Sequence, residues 1–164
     1  REIIAREKEV DRLYFLVVRQ LKSAVRYQQI SEKLGIKNQR DVLGYRIAVK
    51  SFERIADHVE NIVQTCQSAS ENLEEYIKFA EDVAAVYEKA SKSFFSRDAK
   101  LAEEVFIKMK KVEDNRSKNL AKLFKQKNII SALNKKTVID SLSRIANYAS
   151  DIAEIAINMS IEVP

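Results

Sequence analysis

The sequence predicts an all-α protein, and three observations carry that reading. The 164 residues include only two glycines, Gly35 and Gly44, and one proline, Pro164, so the turn chemistry that hairpins and sheets require is nearly absent. Apolar residues recur at three- and four-residue steps along most of the chain, the spacing of amphipathic helices. One helical stretch occurs twice, since Arg54-Ile55-Ala56-Asp57-His58-Val59-Glu60-Asn61-Ile62 returns as Arg144-Ile145-Ala146-Asn147-Tyr148-Ala149-Ser150-Asp151-Ile152. A hydrophobic content of 46% is enough to build a core around such helices.

The elements follow in order. Ile3, Val10, Leu13, Val17, Leu21 and Val25 mark a first helix over 2–34, with Gly35 as its C-terminal cap. Asn38 or Asp41 caps a second helix that runs to about Ser68, with Ala48, Phe52, Ile55, Val59, Ile62 and Cys66 toward the core and Gly44 lowering its propensity. Ser68 and Glu71 have capping-box spacing, so a third helix is expected to begin at 69–71 and to run through Leu73, Ile77, Phe79, Val83 and Tyr87 toward Ser96. Asp98 caps a fourth helix over 98–127. Asn128, Ser131 and Asn134 break the pattern before a fifth, which carries Val138, Leu142, Ile145, Ile152 and Ile155. Five helices and the repeat divide the chain into a first unit over 1–68, two helices and incomplete, and a second over 69–164 with three.

Cys66 stands alone, which excludes a disulfide framework or a CxxC motif and favours a reducing compartment, where it reads as a small buried apolar residue. No apolar run approaches the roughly 18 residues of a membrane helix, so a cytoplasmic protein with no membrane span is expected. The net charge of +5 is uneven, with 12 Lys+Arg against 5 Asp+Glu over 97–136. Such a segment suits nucleic acid, an anionic surface or an acidic partner, yet it lacks a recognised nucleic-acid motif and reads first as a solvated face.

The chemistry lies in acidic pairs. Glu53, Asp57 and Asn61 are four residues apart on the second helix and share a stripe roughly opposite Ile55, Val59 and Ile62. Glu7 and Asp11 repeat the spacing on the first helix. If the two helices fold back antiparallel at Gly35, both pairs come to comparable height and offer the hard-oxygen surroundings that suit Mg²⁺, Mn²⁺, Ca²⁺ or iron. Spacing alone favours a solvated polar face, since Glu and Asp at four-residue steps are commonplace on charged helices.

Glu53-Arg54-Ile55-Ala56-Asp57-His58-Val59-Glu60-Asn61-Ile62 resembles the E-R-[IV]-[AG]-D-H-x-x-N-I signature of the PhoU family, and Glu7-Lys8-Glu9-Val10-Asp11-Arg12-Leu13-Tyr14 is similar to that family's E-x-x-[VI]-D-x-L-Y motif. The order of the motifs matches, and the likeness extends to Arg97-Asp98-Ala99-Lys100-Leu101-Ala102-Glu103-Glu104-Val105. The resemblance implies tandem three-helix bundles, the first of them here lacking its opening helix. It also implies a metal site at Glu7, Asp11, Glu53 and Asp57, supported by Asn61, for a divalent or trivalent ion with iron, zinc, magnesium and manganese all compatible. The second unit departs from the pattern: Ser143 and Asn147 stand at the positions of Glu53 and Asp57, and Met109 and Glu113 at those of Glu7 and Asp11. Asp151 and Glu154 remain for a weaker, different site.

By the same resemblance the protein is a non-enzymatic regulator of phosphate uptake and phosphate-responsive signalling, acting through a phosphate-specific ABC transporter and, in many relatives, a sensor kinase. The alternative is a transcriptional or nucleic-acid-associated regulator acting through an upstream DNA-binding domain or the basic segment 97–136. Arg1 in place of an initiating Met, with one helix of the first unit unaccounted for, gives the expectation that the chain continues upstream. Di-iron catalysis needs Glu-x-x-His pairs, and the sole histidine, His58, has Ile55 three residues before it. No nucleophile-base grouping or glycine-rich phosphate loop appears, and no residue forms an obvious phosphate site. With its covering helix missing, the first unit should leave Val17, Val18, Leu21 and Ile47 partly bare, so a homo-oligomer, at least a dimer, is expected.

Overall fold

The computed structural model describes residues 2–68 and 73–161, and within them the protein is a helical bundle with no strand. Helix α1 spans Glu2–Arg26, α2 Gln28–Lys33, α3 Asp41–Ser68, α4 Ile77–Ser96, α5 Ala99–Leu123 and α6 Ile129–Ser160, and a 3₁₀ turn at Glu74–Tyr76 leads into α4.

The described residues form six α-helices where five were expected, because the first one is divided at Tyr27. That residue is extended (φ −130°, ψ 112°). Its N–H still donates to the Ser23 carbonyl at 2.8 Å, and its own carbonyl accepts from Ile30 and Ser31. The bend lets the short α2 fold back so that Ile30 and Ile36 close over Leu21, Ala24 and Val42 in a small satellite core. Gly35 ends α2 at φ +69°, with Ile36 N–H bonded to the Ser31 carbonyl and Gly35 N–H to that of Glu32, the double closure of a Schellman turn. Asn38 then accepts the Arg40 N–H and starts the turn into α3.

The expected capping box at Ser68 and Glu71 falls partly on 69–72, outside the described residues. Leu73 lies ahead of the 3₁₀ turn and not in the helix, so the third long helix begins later than the spacing implied. Asp98 caps α5 as expected, its Oδ1 accepting the Leu101 N–H at 3.0 Å. Asn128 alone makes the break before α6, taking the N–H groups of Ile130 and Ser131, and Ser131 and Asn134 lie inside the helix.

Helices α4, α5 and α6 pack against one another as a three-helix bundle, α3 lies antiparallel along α6, and α1 lies along α3. Side chains buried completely or nearly so, among them Phe79, Val86, Val105, Ile139 and Ile152, fill the bundle. Gly44 sits where α3 meets the end of α6: a Cβ there would stand 3.0 Å from Met159 Sδ and 3.2 Å from Ile155 Cγ2, so close approach explains a glycine that helix propensity disfavours. At the middle of the same seam His58 stacks on Tyr148, centroids 5.9 Å apart. These two residues occupy the same place in the repeated stretch, so α3 and α6 cross near a local two-fold. The turn from α4 to α5 is pinned to α3 by Arg97, left-handed at φ 52°, whose guanidinium donates to Asp41 at 3.0 Å and to the Tyr45 hydroxyl at 2.8 Å.

Several burial expectations are corrected, and Val59, expected toward the core, is exposed. Cys66 is exposed, because the seam of α3 rotates by its last turns to bury Thr65 instead. Leu21 is buried by the fold-back of α2, whereas Ile47 is left bare and Val17 and Val18 are half-covered.

Candidate metal centre

Helices α1 and α3 run side by side, so the two acidic pairs face each other across one groove. The structure brings Glu7, Asp11 and Asp57 together: one carboxylate oxygen from each lies within 4.8 Å of the others, and all three side chains are half-buried. Three formal negative charges at this range repel. The Glu7 carboxyl is raised from its ordinary value, first by desolvation and then by the charges of Glu60, Asp11 and Asp57. Asp57 is raised by desolvation and by Glu53, against the opposing pull of Arg54 and Lys50. A cation at the centre would relieve the repulsion and the desolvation together, and carboxylate oxygens are the ligands that hard divalent ions and iron take.

The other two predicted ligands stand differently. Glu53 is nearly buried, its side chain 12% exposed, and is tied to the Lys50 ammonium with Arg54 at 3.9 Å. Arg54 also reaches Asp57 at 3.5 Å, so one guanidinium bridges the pair. Glu53 thus lies behind the three-carboxylate group, at the wall of an aromatic groove that includes Phe52, Phe94 and Phe95. Asn61 commits its amide to α6, donating to Ser141 Oγ at 2.9 Å. His58, beside Asp57, has its imidazole pKa lowered by desolvation and faces Tyr148.

Sequence reasoning passed over Glu60, which is near enough to raise Glu7. Its signal was available, since three residues from Asp57 is neighbouring spacing on a helix. Elsewhere, Glu154 raises Asp151 together with desolvation, so this pair is adjacent. In the basic segment, Lys111 is held by Asp82 at 2.6 Å and Lys135 by Glu75 at 2.8 Å, so part of its charge is already paired within the bundle. Among the described residues no helix is long and apolar enough to cross a membrane.

No curated protein and no solved structure matches the chain significantly. Residues 1–66, which carry both acidic helices and the carboxylate cluster, match the family model of the PhoU domain.

Proposed function

We propose that this PhoU-domain protein is a metal-binding, non-enzymatic regulator of phosphate uptake, cytoplasmic and acting through protein partners such as a phosphate-specific ABC transporter or a sensor kinase. The domain match supports phosphate-uptake regulation in general terms. The observation that carries the finer reading is the meeting of Glu7, Asp11 and Asp57, drawn from two helices to within 4.8 Å. Isolated acids on a charged helix stay apart in water. Here they are gathered and partly desolvated despite their repulsion, a cost that metal binding would offset. The metal would use the Glu7, Asp11 and Asp57 oxygens first, with Glu53 as a further donor once released from Lys50.

The test is elemental analysis of purified protein beside Asp57→Asn and Glu7→Gln, both close in shape to the native side chains, with circular dichroism to verify folding. Bound metal should fall to background in either variant. Folded variants that keep the wild-type metal content would remove this site. The partner reading is tested by co-purification with the transporter from detergent-solubilised membranes, expected for the wild type.

A further inference from the structure

The surface of α5 and α6 that corresponds to the acidic cluster is a cleft of about 500 Å³. Met109, Glu113, Ser143 and Asn147 line it, the four positions that stand in for Glu7, Asp11, Glu53 and Asp57. Its other charged walls are Arg116 from α5 and Lys136, Asp140 and Arg144 from α6. The sign of the place is therefore changed.

How this came about is legible in Arg144, which repeats Arg54. In the first unit that arginine is occupied by Glu53 and Asp57. In the second, both carboxylates are replaced by neutral side chains, and Arg144 makes no ion pair among the described residues. Arg116 is likewise unpaired among them, while Lys136 is engaged by Asp140. Ser143 is buried and spends its hydroxyl proton on the Ile139 carbonyl at 2.7 Å. The cleft thus offers two free guanidiniums on neighbouring helices and the Asn147 amide, against the single unpaired carboxylate of Glu113.

We infer that this cleft binds a tetrahedral oxyanion of the phosphate class, with Arg116 and Arg144 supplying paired charge-assisted donors and Asn147 a neutral one. Guanidiniums match phosphate oxygens in geometry as well as charge, which lysines on a solvated face do not. Glu113 at the wall favours the protonated monoanion over the dianion. This inference does not rest on the metal reading, since no residue is shared between the two sites.

The experiment is calorimetric titration of the full chain with inorganic phosphate, in chelator and at fixed ionic strength, so that neither a metal bound between α1 and α3 nor general screening contributes. Saturable one-site binding is expected. Loss of two charge-assisted hydrogen bonds should weaken it at least about tenfold in Arg116→Gln/Arg144→Gln, whose altered side chains are exposed and leave the core intact. Asn147→Asp, which adds a negative charge to the wall, should weaken it in the same direction, and Asp57→Asn should leave it unchanged. A second arm uses glycerol 3-phosphate: tighter binding than inorganic phosphate means that the cleft reads a phosphoryl group on a larger molecule, and equal or weaker binding means the free anion. Absence of saturable binding in both arms, or equal binding by the double-arginine variant, overturns the inference.

Discussion

The two helix pairs α1/α3 and α5/α6 present equivalent positions with opposite electrostatics. Between α1 and α3 three carboxylates converge, and the basic groups Lys50 and Arg54 are absorbed by Glu53 and Asp57. Between α5 and α6 most of those acids are replaced, and Arg144, the counterpart of Arg54, makes no ion pair among the described residues. Four-residue spacing on two packed helices fixes where side chains meet, whereas the identity of a few of them fixes the kind of ion the place suits. The pairs also differ in cover. Residues of α6 are enclosed by α3, α4 and α5, while α1 rests on α3 and leaves Leu13, Phe15, Leu43 and Ile47 exposed on the two helices.

The largest effect should come from converting one pair into the other. Met109→Glu with Asn147→Asp, joined to the native Glu113, reproduces the set Glu7, Asp11 and Asp57 between α5 and α6. If position alone decides, the double variant binds about twice the metal of the wild type under the same loading conditions, and it loses phosphate binding. Elemental analysis after gel filtration reads the first outcome. Wild-type metal content in a folded double variant would mean that Glu53 or its neighbours contribute something the second unit lacks.

This equivalence was partly legible in the sequence. The repeat of 54–62 at 144–152, the acidic spacing, the caps at Gly35 and Asp98 and the break at Asn128 are local signals, and the two caps and the break are realised locally. What escaped depends on packing. The bend at Tyr27 follows from the need to cover Leu21 and Ala24, which no nearby residue announces. The withdrawal of Glu53 behind the cluster follows from Lys50 one turn earlier and from the aromatic wall supplied by α4. The cleft on the second unit draws Arg116 and Lys136 from two helices whose mutual rotation spacing does not give.

Cover can be measured by truncating one position in both copies. Ile152 is completely buried, and its counterpart Ile62 is only half-buried. Ile152→Ala should cost about 3–4 kcal/mol of unfolding free energy, the upper part of the range for isoleucine cavities, and Ile62→Ala about 1 kcal/mol. Urea denaturation with a shared slope checks both. Equal losses would mean that a second chain covers the first unit in solution. That possibility has its own readout, because the bare side chains of α1 and α3 lead us to expect self-association. Sedimentation of the wild type should show a species heavier than 18.9 kDa that Leu43→Lys/Ile47→Lys returns to monomer, and a wild type that sediments as a monomer at high concentration removes the expectation.

The smallest effect concerns the local two-fold between α3 and α6. Asn61 donates to Ser141 Oγ on one side of it, and the equivalent positions on the other are Asp151 and Ser51. Among the described residues no hydrogen bond joins that second pair, and desolvation with the charge of Glu154 holds the Asp151 carboxyl above its ordinary value of 3.8. A carboxyl with a raised folded-state pKa binds its proton more tightly when folded, so its ionisation at neutral pH opposes folding. Stability therefore rises as pH falls through the folded pKa toward 3.8, and levels off below it, where the folded and unfolded chains are protonated alike. Asp151→Asn removes that penalty and supplies the amide donor that Asn61 already provides opposite. It should raise the melting temperature slightly at pH 7, and the gain should hold until the pH reaches the folded pKa and then shrink as the pH falls through that window. A gain that stays constant with pH would assign the effect to the hydrogen bond from the introduced amide to Ser51 alone, and no gain at pH 7 would mean that water already solvates the Asp151 charge as well as it does in the unfolded chain.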